Sequence, residues 1–179
     1  IGFGSTAYSR VLQELAKFDA SVALTVGAHS SIGMRGLLLF GTDAQKQRWL
    51  PKLASGEMIA AFCLTEPGAG SDAAAVRTTA RRDGDAWVLN GEKIWITNGG
   101  MADFFTVFAK TPSEQTGGGK AGMTAFIVTR DMPGVSTGPH EDKMGIRASS
   151  TVTVTLSDVR VPADHVLGEV GHGFKTAMR

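Results

Sequence analysis

The chain has 179 residues, of which 42% are hydrophobic and 20% charged, and its net charge is +1. This balance is typical of a folded globular protein of one domain, or parts of two, rather than of a disordered chain. A charge so close to neutral gives no electrostatic reason to expect nucleic acid or an anionic membrane as a partner. Cys63 is the only cysteine, which excludes an internal disulfide and a zinc–cysteine site. Arg35 interrupts the longest apolar-rich region, so we expect no membrane span.

Both ends of the chain lie in sequence that looks structured. It begins at Ile1 rather than at methionine, and it stops at Arg179, soon after GHGF gives way to the helix-compatible KTAMR. A helix that short is marginal by itself. We therefore expect a piece of a longer protein, whose true N-terminus and any targeting signal are not seen.

The first third of the chain has helical patterns. Apolar side chains recur at three- and four-residue spacing at Tyr8, Val11, Leu12, Leu15 and Phe18. Residues 21–40, SVALTVGAHSSIGMRGLLLF, are apolar nearly all round, as in helices that are buried between neighbours.

A third helix is predicted after Gly41, which ends the second one. Thr42 is a good N-cap for DAQKQRWL, and Gln45 follows three residues later, as in a capping box. We expect Pro51 to bend or end this helix.

After Gly56 the pattern changes to strands. Asp83-Gly84 and Asn90-Gly91 are typical of two-residue hairpin turns, so VRTTARR, AWVL and KIWIT are predicted to form a three-stranded antiparallel meander. Further strands are predicted from short apolar or alternating runs: IAAFCL, FFTVFAK, MTAFIVT and TVTVTL. The segment TPSEQTGGGKAG, between two of these strands, is predicted to be a flexible surface loop.

The stretch CLTEPGAGSD places two glycines between the hydroxyl side chains of Thr65 and Ser71. Gly68 and Gly70 are typical of a turn, and equally of a place where a ligand approaches the main chain. By themselves these ten residues favour the turn.

A later strand ends in WIT, at Trp95, Ile96 and Thr97. An indole beside hydroxyl groups and backbone amides at strand ends can hold a flat ligand. The residues alone favour the other interpretation, in which Trp95 is a core side chain and Thr97 begins the turn TNGG.

Several other chemistries are weakly supported. His29, His140, His165 and His172 are scattered, and none forms a spaced pair with a carboxylate on a helix face, so we expect no metal site. Ser71 lacks the Gly-x-Ser-x-Gly context of a hydrolase nucleophile. The glycine loop has neither the lysine of a P-loop nor the glycine spacing of a dinucleotide-binding fingerprint.

FCLTEPGAGSD followed by LNGEKIWITNG resembles the paired signature of the acyl-CoA dehydrogenase flavoproteins. The resemblance covers essentially the whole chain, since FGTDAQKQRWLPKLASGE and KMGIRASSTVTVTLSDVRVPADHVLGEVGHGF are also similar to that family. Details such as GAHSSIG, AAFCLTEP and FFTVFAKT look closest to its very-long-chain branch.

The resemblance implies an α+β, acyl-CoA dehydrogenase-like fold. The end of an N-terminal α-helical domain (residues 1–57) would be followed by an antiparallel, β-barrel-like middle domain (58–163). Residues 164–179 would then enter a C-terminal helical domain.

The resemblance also implies a flavin site built from both motifs. Phe62, Leu64 and Thr65 would lie against the ring of FAD. Gly70 and Ser71 would approach the cofactor and the CoA chain, with Ser71 also binding substrate.

From the second motif, Trp95 would pack beside the isoalloxazine, with Ile96 next to it. Thr97 would donate a hydrogen bond near flavin N5, where negative charge develops as hydride arrives. Glu66 has no base function in the family pattern, and we expect a structural or solvated role for it.

The implied reaction is the α,β-dehydrogenation of a fatty acyl-CoA in β-oxidation. The family's catalytic base is usually a glutamate of the C-terminal domain, expected here beyond Arg179, so no catalytic residue of this chain is named. Residues 1–179 alone are expected to bind FAD weakly and to be inactive. The implied partners are a fatty acyl-CoA, an electron-transfer flavoprotein and further copies in a homodimer or homotetramer, in the mitochondrial matrix of a eukaryote or the cytoplasm of a bacterium.

Two other functions stay open. An acyl-CoA oxidase on the same scaffold would differ by fast reoxidation of the flavin by oxygen. A nucleic-acid or protein-binding module is supported only by Arg81-Arg82 and by the cluster Lys46, Arg48 and Lys52, and charged helix faces are usually just solvated.

Overall fold

The computed structural model describes residues 4–112 and 122–179. Helices come first and a sheet follows, which confirms the predicted α+β class. The helices are α1 (Ser5–Ala16), α2 (Ala20–Ala28), α3 (Met34–Phe40), α4 (Asp43–Ser55) and α5 (Gly173–Ala177). The strands are β1 (Ala60–Cys63), β2 (Thr79–Asp83), β3 (Ala86–Thr97), β4 (Phe104–Thr111), β5 (Gly122–Thr129), β6 (Val135–Thr137), β7 (Thr151–Pro162) and β8 (Val166–Leu167). Most of the predicted TPSEQTGGGKAG loop lies outside the described residues.

Helix α4 shows how local chemistry sets an element's start. The Thr42 hydroxyl accepts from the Gln45 amide at 3.2 Å, and the Gln45 side chain accepts from the Thr42 amide at 2.9 Å, so the predicted capping box is confirmed. The helix does not end at Pro51 but continues through it to Ser55, so that half of the expectation is wrong. Gly56, in the left-handed conformation that favours glycine, ends the helix instead.

The predicted second helix is interrupted by one wide turn. Residues His29–Gly33 form a π-helical turn between α2 and α3. The His29 ring explains it, since Nδ1 accepts from the Ala60 amide and Nε2 lies 2.9 Å from the Leu53 carbonyl. The His29 ring therefore bridges α4 and β1.

This helical stretch is less buried than its composition predicts. Within the described residues, large apolar side chains stay about half exposed at Val22, Leu24, Ile32, Leu38 and Leu39. The expectation of burial between neighbours therefore fails here. Despite Arg35, the 21-residue stretch Ala20–Phe40 is long and apolar enough to cross a membrane by length and composition alone. Core helices of soluble proteins can be equally long and apolar, so this is weak evidence for a membrane span.

The sheet is mixed rather than wholly antiparallel. Its strands run in the order β6-β7-β3-β2-β4-β5-β8, and β1 pairs with β4 in parallel register, Phe62 opposite Thr106. The hairpin predicted at Asp83-Gly84 is confirmed, with Gly84 (φ 62°) as the first of its two central residues.

The hairpin predicted at Asn90-Gly91 is wrong, because β3 runs unbroken through both residues. The Asn90 side chain instead exchanges two 2.9 Å hydrogen bonds with Asp158 across a register shift of the β3–β7 pair. A Cβ at Gly91 would lie 2.7 Å from the Thr78 Cα, so glycine is required there by close packing.

The central strands are buried on both faces. Phe105, Val107 and Ala109 of β4 face one apolar cluster, and Phe104 and Phe108 face a second. Helices α3 and α4 cover the second cluster with Leu37, Trp49 and Leu53. This rigid layer holds the ends of β1 and β3 in place.

Candidate functional site

The structure brings the two sequence motifs side by side. The segment after β1 lies against β3, where the Ile94 amide donates to the Thr65 carbonyl at 2.9 Å. Thr65 and Leu64 are both half-buried, and Trp95 and Thr97 follow directly along β3. Leu64 and Thr65 of the first motif therefore lie in a segment that is hydrogen-bonded to the part of β3 that carries Trp95 and Thr97.

Trp95 is the least expected side chain of this region. Its side chain is 58% exposed. Its φ of 58° lies in the left-handed region, which is a strained conformation for a bulky aromatic residue. A register shift between Lys93 and Ile96 in the β3–β7 pairing produces this geometry. As a result Ile96 is buried, at 2% exposure, while the neighbouring indole faces outward.

Thr97 lies at the end of β3, opposite Thr151. The turn that follows it is stabilised by hydrogen bonds of the Asn98 and Arg130 side chains, two residues that the sequence analysis did not identify. Asn98 is buried with φ 65°, and its side-chain amide donates to the Thr25 carbonyl at 3.0 Å. The Arg130 guanidinium donates to the carbonyls of Gly99 and Ala102, each at 2.6 Å. The positive φ preferred by Asn in TNGG was the available signal for Asn98, whereas Arg130 lies far away in the sequence.

The glycine loop is open. A Cβ added at Gly68 or Gly70 would meet nothing within 4 Å, and neither residue has a positive φ. Ser71 and Gly70 are exposed, and the Asp72 side chain accepts from the Ala74 amide to order the following turn. The fold itself therefore gives no reason for either glycine.

Phe62, at the third position of β1, is half-buried. Its ring packs on Phe108, with centroids 4.9 Å apart, and lines a cavity of about 80 Å³ beside α3. Thr106, opposite Phe62 in the sheet, is 1% exposed, and its hydroxyl has no hydrogen-bond partner in the described part of the chain.

A buried ion pair lies beneath the two motifs. Lys93 is fully buried and Glu66 is 6% exposed, and their Nζ and Oε1 atoms lie 2.7 Å apart. Burial raises the pKa of the Glu66 carboxyl, but hydrogen bonds from Lys93, Thr78 and the Arg77 amide outweigh it and hold the pKa below its usual value. Burial lowers the pKa of the Lys93 ammonium against the attraction of Glu66. Glu66 therefore has the structural role that the sequence analysis expected.

Cys63 lies next to this pair. It is fully buried, and burial raises the pKa of its thiol to about 12, against the attraction of Lys93. A thiol in this state is unreactive.

Two of the basic residues that supported a nucleic-acid or protein-binding module contact neighbouring side chains. Arg48 stacks over Trp49 at 4.7 Å, and Lys52 pairs with Glu57 at 3.1 Å. Among residues 4–112 and 122–179, no three His, Cys, Asp or Glu side chains come together as a metal-binding group.

Comparison with known proteins agrees with this architecture. The family model for the acyl-CoA dehydrogenase N-terminal domain matches residues 1–57, and the model for the middle domain of the same family matches residues 61–159. The very long-chain specific acyl-CoA dehydrogenase of Bos taurus is 57% identical over 99% of this chain, and the short-chain specific enzyme of Rattus norvegicus is 44% identical over 99%. A crystal structure of an acyl-CoA dehydrogenase from Bacillus anthracis, complexed with FAD, matches 88% of this chain with a TM-score of 0.81 and 49% identity.

The chain therefore belongs to the acyl-CoA dehydrogenase family. It spans 28% of the length of the bovine relative, 42% of the rat relative and 26% of the Bacillus anthracis chain.

Proposed function

We propose that this chain is part of a flavoprotein that dehydrogenates fatty acyl-CoA thioesters to trans-2-enoyl-CoA with FAD as cofactor, as in fatty-acid β-oxidation. The observation that carries the proposal is Trp95, an exposed indole held in a strained left-handed conformation at a strand end. Strain of this kind persists where the surroundings impose it, and it is concentrated at ligand sites.

The described residues fit a flat, polar-edged cofactor. Trp95 offers an aromatic face, Thr97 offers a hydroxyl group at the end of β3 and Thr65 one in the segment after β1, and the loop at Gly68 and Gly70 leaves its main chain free for close approach. The FAD-bound relative with the same fold supports this assignment.

The chain's own residues would bind and orient. When bound, FAD supplies the acceptor for the hydride that leaves the β carbon. Thr97 would donate a hydrogen bond to the flavin edge, and Trp95 would pack beside the ring system, with Ile96 next to it in the chain but buried in the core. Ser71, exposed on the open loop, would contact the thioester end of the substrate.

The base that removes the α proton is proposed to come from outside residues 1–179. Glu66 is unsuited to the task, because its carboxylate is buried and already accepts hydrogen bonds from Lys93, Thr78 and the Arg77 amide. A base needs a free oxygen within reach of the substrate.

We further propose a long-chain substrate, because identity to the very long-chain relative exceeds identity to the short-chain one. An electron-transfer flavoprotein as acceptor, a homodimer or homotetramer, the domain limits 57/58 and 163/164, and a matrix or bacterial cytoplasmic location complete the proposal.

The deciding experiment is an anaerobic titration of the full-length protein with palmitoyl-CoA and, in parallel, butyryl-CoA. We expect the visible flavin absorbance to bleach with palmitoyl-CoA and to persist with butyryl-CoA. A yellow protein that neither thioester bleaches would contradict the substrate class. Fast reoxidation of the reduced flavin by oxygen, with formation of peroxide, would indicate an acyl-CoA oxidase rather than a dehydrogenase.

A further inference from the structure

We propose that the Glu66–Lys93 pair positions the cofactor-facing segments relative to one another, an inference that rests on the proposed function. Both side chains are almost completely inaccessible, and their charged atoms are 2.7 Å apart. Neither group is available to touch substrate, so both act through the segments that they hold.

Lys93 joins the first motif to the second. Its Nζ donates to the Leu64 carbonyl at 3.2 Å as well as to Glu66, and the next amide along, Ile94, donates to the Thr65 carbonyl. The strained residue Trp95 follows directly after Ile94. The spacing between the two motifs is therefore set by hydrogen bonds that begin at Lys93 and Ile94.

Glu66 closes the glycine loop at its base. Its carboxylate accepts from the amide of Arg77 at 2.5 Å, from the amide of Thr78 at 3.0 Å and from the Thr78 hydroxyl at 2.5 Å. Its own amide and carbonyl also pair with Ala69, each at 3.1 Å. The loop of residues 67–76 therefore begins next to Glu66 and ends at the two residues that bind the Glu66 carboxylate. These hydrogen bonds fix the two ends of the loop that contains Gly68 and Gly70.

A positional role explains why an ion pair occupies this place. Apolar side chains of similar volume usually stabilise a core as well as a buried pair does. The pair differs by offering directional bonds to several segments at once.

The test is the double variant Lys93→Met with Glu66→Gln in the full-length protein. It removes both charges together and keeps an amide that can still hydrogen-bond near Thr78, while the bond to the Leu64 carbonyl is lost. We expect the dissociation constant for FAD, measured by fluorescence quenching, to rise at least about tenfold, as when other supporting contacts are removed from a site. The visible absorption of bound flavin is expected to shift because its surroundings change.

The matched control is Lys52→Met with Glu57→Gln, an exposed pair of the same residue types. It is expected to bind FAD within twofold of the wild type. A Lys93/Glu66 double variant with wild-type affinity and spectrum would overturn the inference. If that variant does not fold, Thr78→Val decides, because it removes one hydroxyl donor from Glu66: we expect about a threefold rise in the dissociation constant, and an unchanged value overturns the inference.

Failure of the proposed function is recognised separately. Wild-type protein that binds no FAD contradicts the proposed function directly. Loop anchoring can still be measured in the cofactor-free protein by trypsin cleavage after Arg77, whose side chain is exposed at the end of the loop. We expect the double variant to be cut faster there than the wild type, and equal rates count against the anchoring role.

Discussion

Lys93 and Trp95 lie two residues apart on β3 but differ in how far their side chains are exposed to solvent. Lys93, the more polar of the two, is fully buried in an ion pair, whereas Trp95 is 58% exposed. A strand that follows ordinary burial would do the reverse. We call the Lys93–Glu66 pair and its closely packed neighbours the buried layer, because their contacts hold the two motifs together. We call the exposed residues of the motifs, such as Trp95, the outer layer, because the stability of the fold does not explain their conformation.

The outer layer has further members with the same property. Gly68 and Gly70 have open space around them, and Ser71 is exposed. The buried layer, in contrast, leaves no room, as the close approach of Gly91 to Thr78 shows. Substitutions in the two layers should therefore affect different measurements.

The largest expected effect is on the buried layer. Lys93→Met leaves the Glu66 carboxylate buried without its partner, and the free energy of unfolding should fall by about 3–5 kcal/mol in urea titrations. Lys52→Met, which breaks an exposed pair, should cost less than about 1 kcal/mol. Equal losses in the two variants would remove the distinction between the layers.

The pH dependence of the same pair should sharpen the comparison. Because the folded-state pKa of Glu66 is lowered from 4.5, its charge contributes stability that is complete above pH 4.5. That contribution is lost as the pH falls through the lower folded value. The stability gap between wild type and Glu66→Gln should therefore be widest near neutral pH and narrow below pH 4.5, as measured by urea unfolding from pH 3 to 7. A gap that widens in acid would contradict the direction of the shift.

In the outer layer, Trp95→Gly should separate binding from stability. Glycine relieves the left-handed strain, so the free energy of unfolding should change by no more than about 1 kcal/mol. The dissociation constant for FAD should rise at least about tenfold, a loss of about 1.4 kcal/mol. The buried Trp87 provides the contrast, since Trp87→Ala should cost about 3–5 kcal/mol of stability. If Trp95→Gly unfolds as readily as that variant, Trp95 belongs to the core.

The smallest effect on stability is expected at the open loop. Gly70→Ala should raise the free energy of unfolding by about 0.4–1 kcal/mol, because alanine restricts the unfolded chain and meets no neighbour in the fold. FAD affinity should nevertheless fall, since the added methyl group occupies the face proposed for the cofactor. Gly91→Ala, which meets Thr78, should destabilise by about 1–3 kcal/mol. Unchanged FAD affinity in Gly70→Ala would remove this loop from the site.

Elements governed by neighbouring residues were predictable from the sequence. The capping box of Thr42 and Gln45 and the turn at Gly84 depend on contacts within a few residues. Asn90-Gly91 has the same local form as a hairpin turn, but its meaning depends on Asp158 and Thr78, which are distant in sequence. Helix α4 likewise continues through Pro51 to Ser55, although a proline inside a helical pattern usually indicates a helix end or a bend.

For the candidate site, the paired motifs predicted which segments matter, and the structure decided how they meet. Glu66 could be predicted to have a structural or solvated role, but its partner Lys93 and its hold on the loop could not, since 27 residues separate them. Arg130 was missed for the same reason, since it lies 28 and 31 residues from the two carbonyls that it binds, whereas Asn98 had a local signal in TNGG.

By itself the sequence determined the helix-then-strand order, the balanced charge and the two motifs that define the family, because these depend on composition and local pattern. Only the tertiary structure decided that the sheet is mixed, that Lys93 is buried and Trp95 exposed, and that the glycines face open space. The physical reason is that burial and pairing depend on contacts between distant residues, and a linear pattern carries no record of which distant residues those are.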